Sequence, residues 1–330
     1  MDFTHFKAGR DDSGRRLDRL LRRFLSEENL SSIYKSLRKG LIKVDGKKCD
    51  GNFRVSEGSS IAIANILLKS DSQSQKAPDS NECQDSSLNS LVIFKNDFLL
   101  ILNKPYDIPV HPTSSFKGKS LAETVQNEYQ ATHEMASLSF KTGPLHRLDR
   151  KTTGLLAFSQ NLQGAQWFSE KIKSHEIQKV YLALLEGSLT ENQIWEEKID
   201  KSEISNEQGT RRKDSGRFHT VSVNSDEGKM AHTEVTPLSH GLFWGKDITL
   251  ARVLIKTGRT HQIRAQAGFH GFPLLGDTAY GSGKIDSKKW GQDFFLHASE
   301  LHFSPDNPLN LPEKISAPLP KAFENILNSI

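Results

Sequence analysis

The segment that decides the fold is a charged turn running directly into an apolar stretch: Gly143-Pro144-Leu145-His146-Arg147-Leu148-Asp149-Arg150-Lys151-Thr152-Thr153-Gly154, then Leu155-Leu156-Ala157-Phe158. Five of the six positions from His146 to Lys151 hold an ionisable or histidine side chain. The apolar stretch predicts a buried strand, so Asp149 lies among cations at the edge of a core. Nearby cations favour a charged carboxylate and make it a candidate nucleophile or base. On spacing alone, a surface turn with an Asp–Arg ion pair is the commoner explanation.

A second charged segment lies further along the chain: Lys256-Thr257-Gly258-Arg259-Thr260-His261-Gln262-Ile263-Arg264, followed by Gly276-Asp277-Thr278-Ala279-Tyr280-Gly281. Its arginine, histidine and glutamine side chains offer donors of the kind that bind a phosphate or a carboxylate. A solvated basic turn accounts for this segment equally well. The segment becomes informative only together with other motifs.

Beyond residue 90, short apolar runs predict strands with few long helical patterns between them. These runs are residues 92–94, 99–102, 155–158, 180–185 and 248–255. The pattern predicts an α+β domain that is rich in mixed or antiparallel sheet.

The first fifth of the chain predicts a small α/β unit of two helices and a few strands. Apolar residues recur at helical spacing from Leu17 to Leu25, while arginines occupy the other faces. A second basic helix runs to Gly40. An alternating run at 41–44, an Asp-Gly turn and a run at 60–63 then predict strands.

A boundary between two domains is predicted at residues 67–90. This stretch is rich in Ser, Gln and Asp and nearly free of aliphatic residues between Leu68 and Leu88, which is typical of a flexible linker. We therefore expect a tail at 1–13, the small unit at 14–66, the linker at 67–90 and the main domain at 91–330.

The formal net charge of +4 over 330 residues is unevenly distributed. Residues 1–66 hold 14 Lys and Arg against nine Asp and Glu, residues 67–91 hold two against four, and the remainder is nearly balanced. The small unit therefore carries the basic excess, which favours a nucleic-acid partner for it.

Several classes of function are disfavoured by the sequence. Cys49 and Cys83 are too few for a disulfide framework or a four-cysteine zinc site. Gly118-Lys119-Ser120 suggests a phosphate-binding loop, but Thr113 stands where the first glycine belongs. No run approaches a membrane span and the N-terminus has no apolar signal region, so we expect a cytoplasmic protein without cofactor or metal.

Taken together, the motifs resemble the RluA-type family of RNA pseudouridine synthases from about residue 91 to 304. The catalytic signature is His146-Arg147-Leu148-Asp149 with Thr152-Thr153-Gly154, and the second hallmark is residues 258–264 with the sequel 276–281. Further matches in the family's order are residues 103–105, 110–112, 179–183, 228–233 and 296–298. The chain departs from the pattern at Thr153, Asp107 and Gln266, where the family usually has Ser, Gly and His.

The resemblance implies an isomerase that needs no cofactor, with Asp149 as the catalytic carboxylate acting as nucleophile or as base. Arg264 is the expected ion-pair partner of Asp149, and Arg259 is the second candidate. Tyr181 is expected to pack on the uracil face and is a candidate to take the proton from ring carbon 5. A core aromatic on a strand is the alternative for Tyr181.

The resemblance also implies substrate-binding residues around the carboxylate. Arg147 is expected to enter the space left by a flipped-out base. His146 is expected to orient the loop, Leu254 or Ile255 to wall the pocket, and Arg259 and Lys104 to contact the substrate.

The small unit resembles the RNA-binding domain named for the small-subunit ribosomal protein S4. The match covers Arg16-Leu17-Asp18-Arg19-Leu20-Leu21, the second helix and the turn at 44–46. The expected RNA-binding residues are Arg16, Arg19, Arg22, Arg23, Lys35, Arg38 and Lys39. An ordinary solvated helix face is the alternative.

The attached S4-like unit favours large-subunit ribosomal RNA as the substrate. We also expect a monomer. Three alternatives stay open: a transfer-RNA pseudouridine synthase, a non-catalytic RNA-binding factor of ribosome assembly, and a hydrolytic nucleosidase. The last needs a second acid and an open water path, and the sequence indicates neither.

Overall fold

The computed structural model describes residues 2–25, 28–68, 88–114, 116–132, 137–200, 221–224 and 226–329. Most of the predicted linker, 69–87, and Cys83 lie outside these residues. The small unit consists of β1 (Phe3–Lys7), α1 (Leu17–Phe24), α2 (Leu30–Lys39), β2 (Ile42–Val44) and β3 (Ser60–Ala64). Its three strands pair antiparallel in the order β1-β3-β2.

The first residues of the chain belong to this unit, whereas the sequence analysis treats 1–13 as a tail. Phe3–Lys7 pairs with Ser60–Ala64 along the edge of β3 that β2 leaves free. The ring of Phe6 packs on Phe24 of α1 at a centroid distance of 4.6 Å. A strand edge leaves backbone groups unpaired, so a short alternating segment that can satisfy them joins the sheet.

The main domain follows in chain order. Its elements are β4 (Val92–Lys95), β5 (Leu99–Lys104), α3 (Leu121–Thr132), β6 (Thr153–Ser159), α4 (Leu162–Lys173), β7 (Gln178–Glu186), β8 (Gln193–Asp200), β9 (Ser222–Val223), β10 (Lys229–Phe243), β11 (Lys246–Ile255), α5 (Gln262–Phe269), α6 (Ser287–Trp290), β12 (Leu296–His302), β13 (Lys314–Ser316) and α7 (Lys321–Leu327).

One mixed sheet runs through the main domain in the order β4-β5-β6-β12-β7-β11-β10-β8-β9, with β13 paired to β12. The pair β6–β12 is parallel, and the other pairs are antiparallel. The predicted α+β class with a mixed, sheet-rich main domain is therefore confirmed.

The charged turn that opens the sequence analysis leads into the buried strand β6, whose seven residues are all buried. Gly154 lies where β6 meets β12, with φ at 108°. A Cβ there would lie 2.2 Å from the carbonyl oxygen of Ala298. Glycine is therefore required for the close approach of these strands.

The small unit docks on the main domain through a buried aspartate. Asp12 is fully buried, and its carboxylate accepts hydrogen bonds from the backbone N–H of Leu138 (2.8 Å) and Ser139 (3.1 Å). The hydroxyls of Ser137 (2.7 Å) and Ser139 (2.6 Å) also donate to it. Leu138 packs into the apolar core of the small unit. These contacts fix the small unit against residues 137–139.

We expect Asp12→Ala to loosen this docking, because the variant leaves two backbone amides without their acceptor. Amide hydrogen exchange at Leu138 and Ser139 should become faster by at least about tenfold. Asp50→Ala is the matched control, because Asp50 is an exposed residue of the same unit. Unchanged exchange at 138–139 in Asp12→Ala would contradict the docking role.

Candidate active site

Lys104 at the end of β5 holds the charged turn in place. It is fully buried, and its ammonium group donates to the carbonyl oxygens of Pro105 (2.9 Å), Arg150 (2.7 Å) and Thr152 (2.8 Å). The three carbonyls use all three ammonium hydrogens. Lys104 was expected to contact substrate. The structure corrects this, because an enclosed and saturated ammonium group acts on the turn instead.

Asp149 projects from this turn toward Arg264 of α5. Oδ2 of Asp149 lies 3.4 Å from Nη1 of Arg264 and 3.8 Å from Nε2 of His261. The Asp149 side chain remains 18% exposed, so the carboxylate is reachable from the surrounding cavity. Arg259, the second candidate partner, is exposed and donates from Nε to the carbonyl oxygen of Met230 at 3.0 Å.

Arg264 is fixed from its other side by Asp277. Nε and Nη2 of the guanidinium donate to the two oxygens of Asp277 at 2.6 and 2.9 Å. The rings of Phe294 and Tyr280 lie 4.5 and 5.1 Å from Cζ. Burial opposes the charged form, but Asp277 and Asp149 outweigh it and raise the pKa of Arg264. The guanidinium is therefore a fixed positive charge that presents one remaining edge to Asp149.

His261 reaches the site from a residue with an uncommon backbone conformation. Its φ of 51° lies in the left-handed region, directly before α5 begins. Nδ1 lies 2.9 Å from the hydroxyl of Tyr280, which also accepts a hydrogen bond from the N–H of Val221. In the tautomer in which that hydroxyl donates to Nδ1, Nε2–H faces Asp149. Burial lowers the pKa of His261, so the imidazole is neutral near pH 7. Sequence analysis noted its donors but assigned it no role.

A cavity of about 360 Å³ opens beside Asp149. Tyr181 of β7 and Ile255 of β11 line it. Leu254, the alternative wall residue, does not line it, because successive strand residues point to opposite faces and Leu254 pairs with Val180. Burial, assisted by the charge of Asp149, raises the pKa of Tyr181, which keeps the phenol protonated.

Lys179 also lines this cavity and was missed as a site residue. It lies two positions before Tyr181 on β7 and shares its face of the strand. Its side chain is buried, and no hydrogen bond or carboxylate partner occurs for its ammonium among the described residues. Burial lowers the pKa of Lys179 to about 8. The alternation with Tyr181 was the sequence signal that could have identified it.

The remaining residues of the charged turn divide between the core and the cavity. Nε2 of His146 accepts the N–H of Ala157 at 3.1 Å, and its ring stacks on Phe168. Burial lowers the pKa of His146 to about 3, so it stays neutral. Arg147 is exposed at the cavity rim without an ion pair in the described part of the chain.

The three residues that depart from the family pattern each form a hydrogen-bond contact in the structure. The hydroxyl of Thr153 lies 2.8 Å from Nδ1 of His297. Asp107 adopts a φ of 63°, and its carboxylate accepts a hydrogen bond from Arg150 at 2.9 Å. Gln266 is buried and donates to Glu197 at 2.6 Å.

The predicted RNA-binding cations lie on α1, α2 and their flanks. Arg16 is held by Asp18, with Nη2 to Oδ2 at 2.6 Å. The other six residues are exposed and form no ion pair with any described residue: Arg19, Arg22, Arg23, Lys35, Arg38 and Lys39.

Over the described ranges, no group of three or more His, Cys, Asp or Glu side chains is arranged to hold a metal ion. No helix of those ranges is long and apolar enough to cross a membrane. Cys49 is a free, half-buried thiol.

Comparisons with known proteins identify the family of the chain. A family model described as RNA pseudouridylate synthase matches residues 98–268, which include Asp149, Tyr181 and Arg264. The chain is 26% identical over 324 residues to a ribosomal large subunit pseudouridine synthase C of Vibrio vulnificus, covering 97% of this chain and 94% of that protein. It is 27% identical over 328 residues to the Escherichia coli (strain K12) protein of that name, with coverages of 97% and 94%.

Solved structures share the fold of the main domain. Human RNA pseudouridylate synthase domain containing 1 superimposes with a TM-score of 0.54 at 24% identity, covering 73% of this chain and 86% of that one. Human RNA pseudouridylate synthase domain containing 4 gives a TM-score of 0.55 at 21% identity, with coverages of 73% and 93%.

Breaking the Arg264–Asp277 pair should destabilise the fold. Asp277 is 2% exposed, so Asp277→Ala leaves a buried, unpaired guanidinium and should cost about 3 kcal/mol in the free energy of unfolding. Asp107→Asn removes the charge of an exposed Asp–Arg pair, keeps a residue type that tolerates the left-handed backbone and should cost less than about 1 kcal/mol. Urea denaturation of both variants measures the difference. Equal costs would show that Asp277 does not hold Arg264.

Proposed function

Because the chain belongs to the RNA pseudouridylate synthase family, we propose that it converts uridines of large-subunit ribosomal RNA into pseudouridine, with Asp149 as the catalytic carboxylate. The observation that carries the proposal is the accessible carboxylate of Asp149 in a cavity beside the fixed cation Arg264. Relatives named ribosomal large subunit pseudouridine synthase C align over nearly the whole of both chains, which supports ribosomal RNA as substrate.

The reaction breaks the bond from ribose C1′ to uracil N1, turns the uracil and joins C1′ to C5. The proton leaves C5 and N1 regains one, so atoms and electrons balance without an oxidant, a reductant or an energy source. Asp149 acts either as nucleophile at C1′ or as base toward the sugar. In both cases a single oriented carboxylate next to the ribose is required, and Arg264 orients it.

A hydrolytic nucleosidase is disfavoured by the state of the second carboxylate. Glycoside hydrolysis generally uses an acid for the leaving group and a second carboxylate for the sugar. The nearby candidate is Asp277, but both of its oxygens accept hydrogen bonds from Arg264 and its side chain is buried. Asp277 is therefore unsuited to protonate a departing base.

Tyr181 and Ile255 provide an apolar surface for the detached uracil. The Tyr181 hydroxyl has no hydrogen-bond partner among the described residues, although the side chain lines the cavity. It can therefore bond to the substrate. We assign its ring to packing on the base and its hydroxyl to a hydrogen bond with the uracil. Because the raised pKa keeps the phenol protonated, this hydroxyl takes up the C5 proton only in a relay that passes on its own proton at the same time.

We propose that Arg147 fills the space that the flipped nucleotide leaves in the RNA, because it is exposed at the cavity rim and carries no ion pair within the described residues. We also propose that residues 14–66 act as an S4-like RNA-binding unit. Its six exposed cations support phosphate contacts. The working form is a cytoplasmic monomer under this proposal.

Asp149→Ala should abolish pseudouridine formation in ribosomal RNA. The test maps pseudouridines by carbodiimide-blocked primer extension in a strain that lacks the gene and carries either the wild type or a variant. Asp97→Ala is the matched control, because it removes an exposed carboxylate elsewhere in the main domain. If Asp149→Ala restores the same pattern as the wild type, the catalytic proposal is wrong.

Lys179 should make RNA binding depend on pH. We infer that its unpaired ammonium binds an oxygen of the substrate, which repays the cost of its burial. As the pH rises through about 8, Lys179 loses its proton and this contact weakens. The Kd for RNA should rise about tenfold between pH 7 and 9, equivalent to about 1.4 kcal/mol. Lys179→Met should bind more weakly at pH 7 and lack this step, whereas an identical step in the variant would refute the role.

A further inference from the structure

The turn between β10 and β11 contains Trp244, a bulky apolar residue in a left-handed backbone conformation and an exposed position. Phe243 pairs with Lys246, which leaves a turn of two residues, Trp244 and Gly245. Both have left-handed backbones, with φ of 52° and 78°. This is the type I′ pattern, which favours Asn-Gly, and a bulky side chain in its first position strains the backbone.

Trp244 is also 63% exposed, so it gains little from burial. Its ring stacks on Phe243, with the ring centroids 4.7 Å apart and the planes at 22°. The ring centroid of Trp290 lies 6.5 Å away, with the planes at 63°. Phe243 beneath it is buried. The indole of Trp244 is therefore held in one position by the buried ring of Phe243. Its left-handed backbone and its exposure to water both cost free energy. A residue that breaks two local rules at once points to a function outside the fold.

Exposed lysines occur in the same chain segments as this aromatic cluster. Lys246, Lys284, Lys288 and Lys289 are exposed, and the ammonium of Lys289 lies 5.0 Å from the ring of Trp290. Lys246 pairs with Glu186, whereas the other three have no carboxylate partner in the described chain. Nearby acids are engaged elsewhere: Asp286 caps α6 and Asp293 binds Lys151, which leaves Asp247 exposed on the hairpin.

The cluster is continuous with the candidate active site. Ile285 packs with Phe243 in one apolar core and also lines a second cavity of about 490 Å³. That cavity is shared with Lys284, Asp149 and Arg264. Val253, the partner of Tyr181, lies nine positions after Trp244 along the turn and β11. At about 3.3 Å per residue this is a path of about 30 Å along the chain, so the indole meets the RNA at a point other than the target uridine.

We propose that Trp244 stacks on an unpaired base of the RNA substrate several nucleotides from the target uridine, while Lys284, Lys288 and Lys289 bind the neighbouring phosphates. The inference rests on the proposed function. An aromatic ring flanked by cations is the usual platform for single-stranded nucleic acid. Protein interfaces are depleted in lysine, which disfavours a protein partner on this surface.

The test uses two substitutions at the turn. Trp244→Asn restores the residue type that the turn prefers, so its melting temperature should equal or exceed that of the wild type. Its Kd for a ribosomal RNA fragment should rise about fivefold to a hundredfold, as for the loss of one stacked base. Trp244→Phe should retain most of the affinity. Leu242→Ala is the control, because it removes a 61% exposed apolar side chain from the same hairpin and should leave the Kd unchanged.

Two further measurements separate stacking from charge. Trp244→Asn should leave the slope of log Kd against log salt unchanged, whereas the triple variant Lys284→Ala, Lys288→Ala, Lys289→Ala should flatten it by about two. At saturating RNA, Trp244→Asn should form pseudouridine at the wild-type rate, because stacking contributes uniform binding.

An unchanged Kd in Trp244→Asn overturns the inference even if the wild type forms pseudouridine, so the proposed function stands independently. If the wild type forms no pseudouridine but binds the RNA, the Kd comparison still decides the role of Trp244. If the substitution instead abolishes self-association of the protein in size-exclusion chromatography and leaves RNA affinity intact, the surface is a protein contact and the inference is wrong.

Discussion

The arrangement of the site depends on one guanidinium that is bound from two sides. Nε and Nη2 of Arg264 donate hydrogen bonds to Asp277, and Nη1 faces Asp149. Because a guanidinium is planar, fixing two of its nitrogens also fixes the direction of the third. The buried pair thus sets where the exposed carboxylate of Asp149 can sit. Rings of Phe294 and Tyr280 cover the guanidinium and hold it in place.

The turn that carries Asp149, the partner of Arg264, is held by a buried lysine. Lys104 leaves β5 and binds the backbone of the turn at residues 150 and 152, on either side of Lys151. Asp149 is therefore positioned through the main chain by Lys104 and through its side chain by Arg264. Both cations belong to the framework, so the groups that remain free for RNA are Arg147, Lys179 and the surface cations.

The placement of these free cations suits a large, structured RNA under the proposed function. Six exposed cations lie on the small unit, which Asp12 fixes against the main domain. The aromatic cluster around Trp244 lies at the opposite end of β11 from Ile255, which lines the cavity. Contacts at separated points add binding free energy that offsets the unstacking of the target base.

The sequence by itself determined the strands β2–β7 and β11, the α+β class and the family resemblance, because runs of apolar residues and the motif around Asp149 are local properties. It predicted none of the other strands. It misjudged Lys104, Leu254 and the first residues of the chain. Whether a lysine is enclosed, which face of a strand meets the cavity and which free edge a segment joins depend on residues distant in sequence. Tertiary structure alone decided that Arg264 is shared between Asp277 and Asp149 and that Lys179 stands unpaired beside Tyr181, because such pairing follows from distances between elements that the chain brings together only on folding.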